Sequence, residues 1–151
     1  MNVVTDAQRF VGVWELEGVE EGDSFEGGKR GFVSGFERPV GMLIYLPSGL
    51  MSVNFAGSSR PPFRREFSPT LSELAAAGSA YGGYAGRWEV VESRREVLHH
   101  VQAAFIPNRI GRTIRRSYSF EEDSRVLFLR PIAVSPSEES PNRVLRWRRR
   151  A

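Results

Sequence analysis

Apolar and polar residues alternate along most of this chain. From residue 10, FVGVWELEGVE places Gly12, Trp14 and Leu16 on one face and Val13, Glu15 and Glu17 on the other, the period-2 signature of a half-buried strand. Residues 40 to 57, VGMLIYLPSGLMSVNFAG, hold two apolar runs around Pro47, Ser48 and Gly49, a tight-turn triplet that joins antiparallel neighbours. Further on, YAGRWEVVES, REVLHHVQAAF, RTIRRSYSFEE, RVLFLRPI and RVLRWRRR are five more strand-like runs divided by short polar turns. Between the two groups, SSRPPFRREFSP is too rich in proline for a central strand. The segment after it opens with a Ser/Thr and Pro start signal and predicts one short helix over residues 69 to 80. Residues 20 to 39 carry five glycines after position 20 and no sustained period, which predicts a long connection with a short strand near Phe32. Eight strands at a spacing of about 8 to 12 residues and one helix predict an all-β, eight-stranded antiparallel barrel or sandwich. The hollow of such a barrel admits side chains or one small ligand.

Composition narrows the classes. A chain of 151 residues fits a single domain, taken as 1–151. No run nears the roughly 18 apolar residues of a membrane helix, so a soluble protein without a membrane partner is expected. MNVVTDAQRF lacks a basic and apolar leader, and the expected location is cytoplasmic. Without cysteine there is no disulfide, thiolate metal site or cysteine nucleophile. The net charge of +3 comes from 20 arginines against a single lysine, Lys29. Most arginines are scattered; only RVLRWRRR is dense, and Trp147 is its one aromatic residue, too little for a nucleic-acid surface. That stretch reads as an edge or closing strand with a charged outer face. No phosphate loop, nucleophile elbow or zincin motif is present, and no cofactor is expected.

The order of landmarks carries a resemblance. Gly12-Val13-Trp14 looks like the Gly-x-Trp signature of calycins. With GMLIYLPSGLMSVNF, GYAGRWEVV, HHVQAAFIPNRIGRTIRRSYSF and a closing strand bearing a tryptophan, residues 10 to 148 resemble the bacterial and fungal lipocalin-like domain family. The resemblance implies an eight-stranded up-and-down barrel with a central cavity and with Gly12 and Trp14 at its closed floor. It implies no single reaction, and fold alone does not fix function.

Candidate chemistry follows from which side chains face inward. His99 and His100, the two histidines, are consecutive, so on a strand they face opposite sides and cannot share a metal. No metal site is expected. The face of His99, with Val97, Val101, Ala103 and Phe105, is the more apolar one, which assigns His99 to the lumen. Its plain role is a core histidine with a satisfied ring nitrogen. Its functional roles are a general acid or base, an orienting donor, or a haem ligand. Arg116 shares parity with Ile114, Tyr118 and Phe120 and should also point inward. There it would meet a carboxylate, cap floor carbonyls or await an anionic ligand; a structural role is stacking on Trp14, by Arg116 or by Arg146. Pattern leaves open which face of the hairpin is inside, so Tyr45 and Asn54 are polar contacts only if their sets are luminal. Tyr84 and Trp88 would add aromatic lining near a mouth covered by the helix and the Gly/Pro-rich segments.

The sequence thus favours a barrel that binds a small, largely apolar organic molecule through Tyr45, Val53, Phe55, Tyr84, Trp88, His99, Val101, Arg116 and Tyr118. A second class is a cofactor-free cyclase or isomerase of secondary metabolism with His99, Arg116 and Tyr45 as its catalytic groups. A third is a homodimeric or accessory protein whose interior is filled by its own side chains.

Overall fold

Each alternating stretch forms a strand, and the strands close on themselves. The computed structural model describes residues 2–21, 38–132 and 143–150. A short helix α1 (Asp6–Phe10) leads into β1 (Gly12–Glu21), β2 (Val40–Tyr45) and β3 (Leu50–Ala56). Helix α2 (Leu71–Ser79) precedes β4 (Tyr81–Val91), β5 (Glu96–Ala104), β6 (Thr113–Glu121), β7 (Val126–Pro131) and β8 (Arg143–Arg149). Every strand pairs antiparallel with its sequence neighbours and β8 returns to β1, giving a closed up-and-down barrel. Closure leaves no unpaired edge. The strand expected near Phe32 lies outside the described residues.

The two rims differ. At one, short connections join the strands: residues 46–49 with Gly49 at φ 88°, the turn Glu92–Arg94 closed by left-handed Arg95, and Glu122, Asp123 and Ser124, all at positive φ. Here α1 folds across the barrel end. Its start is fixed by a capping box, in which the Thr5 hydroxyl accepts from Gln8 N and the Gln8 amide oxygen accepts from Thr5 N. At the opposite rim lie the longer connections, including α2, which also starts with a capping box, Thr70 with Glu73.

Alternation sets the core, with two corrections. Leu16 opposes Trp147 and Gly18 opposes Arg146, so Glu17 is an extra residue in β1 and Val19, not Gly18, turns inward to 2% exposure. Ala85 opposes Ala103 and Gly86 opposes Val101, so Gln102 bulges out of β5. Beyond it the faces exchange. Ala104 packs against the core, whereas Ala103 and Phe105, expected on the luminal face of His99, are exposed. The bulge requires a glycine on β4: a Cβ at Gly86 would stand 1.9 Å from the His100 carbonyl oxygen.

The outer face of β8 is charged, as expected of a closing strand. Arg146 and Arg148 both bind Glu17, Arg148 also binds Glu122, and Arg150 binds Glu15. Among the described residues no helix is long and apolar enough to cross a membrane.

Candidate functional site

The plugged end is built around Phe10. Its ring is fully buried and meets Tyr45, Trp88, Tyr118 and Phe120 at centroid distances of 4.9 to 5.9 Å. Tyr118 donates its hydroxyl to Asp6, and Trp88 Nε1 donates to the Leu46 carbonyl. Trp14, also fully buried, donates Nε1 to the Phe10 carbonyl at 2.9 Å. The arginine on its ring is Arg149, 4.2 Å from the centroid, which also donates to the carbonyls of Arg9, Val11 and Ser124. This corrects the expectation of Arg116 or Arg146. Arg149 shares the inward parity of Leu145 and Trp147, while Arg146 has the opposite parity and lies over Phe128. Trp88 and Tyr118 therefore belong to the packing of the plugged end, and Trp88 does not stand at the mouth.

Above this layer the barrel wall carries a polar group. His99 is 1% exposed and inward, opposite Ile114 on β6 and Trp88 on β4. Both ring nitrogens are engaged: Tyr45 Oη lies 2.8 Å from Nε2 and Tyr84 Oη lies 2.7 Å from Nδ1. The three residues come from β2, β4 and β5: Tyr84 and His99 sit on paired strands, and the curvature of the barrel brings Tyr45 across to them. Burial pushes the His99 imidazole down to about 3, and the positive charges of Arg116 and His100 act in the same direction. The ring is neutral at physiological pH. Burial likewise holds the Tyr45 phenol well above its ordinary range, with the Tyr84 phenol adding to the effect and Arg116 opposing it. His100 faces out, hydrogen-bonded to Thr113 and Glu89. The two histidines are thus one interior and one exterior residue.

Arg116 opposes Val97 across the β5–β6 ladder and shares its inward face. It keeps partial exposure, its Nη1 donates to the Arg115 carbonyl at 3.3 Å, and it forms no ion pair with a described residue. The hairpin question resolves as well: Leu43, Tyr45, Met51 and Val53 are buried in the core, whereas Met42 is 39% exposed. Asn54 is an outer residue that accepts the Tyr81 hydroxyl, so it is no luminal contact. Val53 and Val101 line the core, and Phe55, with Ile114 and Leu145, packs against it in the half away from α1 while staying partly accessible. Partial exposure is not confined to this half, since Trp88 and Phe120, which pack on Phe10, are also only partly buried.

Sequence reasoning missed three residues here: Phe10, Asp6 and Arg149. The capping pattern Thr5 to Gln8 signals a helix start that would have drawn attention to α1, and the parity of β8 would have selected Arg149. Nothing in the sequence signals the Asp6 contact.

The eight-stranded up-and-down barrel, plugged at one end beside a Trp14–Arg149 stack and carrying polar groups on its inner wall, is a barrel of the lipocalin-like class.

 The family profile described as lipocalin-like domain matches residues 11–150, and the chain belongs to that family. No curated protein matches it in sequence.

Proposed function

We propose that the barrel encloses a small, largely apolar organic molecule in the half away from α1, oriented by the Tyr45, His99 and Tyr84 group and by Arg116. The observation that carries this reading is an inner wall that combines partly exposed apolar residues with a buried polar group. Phe55, Ile114 and Leu145 are inward apolar residues that retain exposure, and the same inner wall carries a dry, hydrogen-bonded imidazole directly opposite Ile114. Sites for small organic molecules combine an apolar lining with a few fixed polar groups in this way. Of the expected contacts, Tyr45, Val53, Phe55, Tyr84, His99, Val101 and Arg116 belong to this reading. Trp88 and Tyr118 serve it from below by holding Phe10.

Native mass spectrometry of the purified protein tests the proposal. A species heavier than the chain, lost after organic extraction and regained on adding back the extract, supports it. A bare chain that takes up no apolar probe contradicts it.

The hydrogen-bonded run of Tyr45, His99 and Tyr84 favours a second reading, a cofactor-free cyclase or isomerase that moves a proton through this relay. An imidazole held near 3 is a weak base at neutral pH, which favours binding over proton abstraction. Turnover of the extracted compound by wild-type protein, abolished in Tyr45→Phe, would reverse that order.

A further inference from the structure

The polar atoms of the interior are unequally matched. A neutral imidazole brings one N–H and one lone pair, and each phenol brings one O–H. At His99, three hydrogens therefore share two contacts, and one phenolic hydrogen has no acceptor there. Tyr45 is fully buried and Tyr84 is 8% exposed, so the less costly arrangement leaves the surplus on Tyr84. In it Tyr45 donates to Nε2, Nδ1–H donates to Tyr84, and the Tyr84 hydroxyl is free to donate elsewhere.

Two further groups share this condition. Trp147, 1% exposed and part of the same core, has no partner for Nε1 among the described residues. Arg116 commits one donor to a backbone carbonyl and has no carboxylate partner among the described residues. Its charge nevertheless acts on both His99 and Tyr45. By contrast Trp14, Trp88 and Tyr118 have acceptors. Among the described residues the interior offers more donors than acceptors, and one of those donors is a cation.

We propose that the guest is an organic acid whose carboxylate accepts from Arg116 and from the Tyr84 hydroxyl, with its apolar body against Phe55 and Ile114. The inference rests on the ligand-binding reading above and narrows it. A hydrocarbon would offer the Tyr84 hydroxyl and Arg116 no acceptor, and an organic cation would face Arg116 with like charge. A carboxylate supplies two oxygens in the geometry a guanidinium matches.

Titration calorimetry with matched pairs tests this: 2-naphthoate against 2-naphthamide, and hexanoate against hexanamide. Wild-type protein should bind the acid of at least one pair about tenfold tighter than its amide. Arg116→Met should bring the acid down to the affinity of the amide, Arg116→Lys should restore part of the difference, and Tyr84→Phe should weaken the acid more than the amide. His100→Gln, on the outer face, should leave all affinities as they are. Amides that bind as tightly as their acids to the wild type overturn the inference and leave the ligand-binding reading standing. Failure of all four probes to bind overturns both. The wild-type comparison decides the matter even if a variant does not fold.

Discussion

A histidine kept neutral by burial makes stability depend on pH in a defined window. His99 titrates at about 3 in the folded protein and near its ordinary value of about 6.5 when unfolded. Below 6.5 the unfolded chain takes up a proton that the folded barrel refuses, so protonation favours unfolding. The contribution is fully present above pH 6.5 and is lost as pH falls toward 3, at up to about 1.4 kcal/mol per pH unit. Between pH 7 and pH 5 the loss comes to about 2 kcal/mol. Urea unfolding at the two pH values, on wild type and on His99→Gln, reads it directly. Glutamine can still bond a phenol but does not titrate, and the variant retains His100 and every carboxylate. The wild type should lose about 2 kcal/mol more than the variant between pH 7 and pH 5. Equal losses in the two proteins would refute the claim that His99 is a dry, neutral residue inside the barrel.

Three other changes probe the surrounding structure. Phe10→Ala removes the aromatic plug beneath Tyr45 and should destabilise the fold by about 3 to 5 kcal/mol, lowering the thermal midpoint by roughly 10 °C in a scanning calorimeter. Tyr45→Phe leaves His99 Nε2 without its partner in a buried site and should cost about 1 to 3 kcal/mol in urea unfolding at pH 7. Gly86→Ala places a methyl against the His100 carbonyl and should destabilise by about 1 to 3 kcal/mol, with amide shifts in NMR spectra centred on Val101 and Gln102.

Much of this architecture was legible because strand parity is a local property. Alternation put His99 and His100 on opposite faces, the more apolar neighbours of His99 chose it for the inside, and the same parity placed Arg116 inward; the pattern also predicted eight strands with one late helix, which forms over Leu71–Ser79. Parity failed where the count of residues across a ladder changes. The bulge at Gln102 turned Ala103 and Phe105 outward, and the extra residue at Glu17 brought Val19 in. Gly86, a glycine inside a strand pattern, was the visible trace of the first bulge. Gly18, beside Glu17 within β1, is the corresponding trace of the second.

The hairpin of β2 and β3 shows a different limit. Met42 and Ile44 are as apolar as Leu43 and Tyr45, so periodicity could not choose between the faces, and the choice fell to closure of the whole barrel. Tyr45 joins the relay from a strand that is not paired with β4 or β5. Tyr45, Tyr84 and His99 lie 15 to 54 residues apart along the chain, and no spacing rule connects them.

The pair His99 and His100 supplies the most direct test of an interior site, because adjacent residues report from opposite sides of one wall. Long-range proton–nitrogen NMR of the imidazole rings, recorded while 2-naphthoate is titrated, observes both at once. An interior guest should shift the His99 ring nitrogens saturably and leave those of His100 in place. Saturable shifts of His100 with an unchanged His99 would put the ligand on the outer surface and contradict the account.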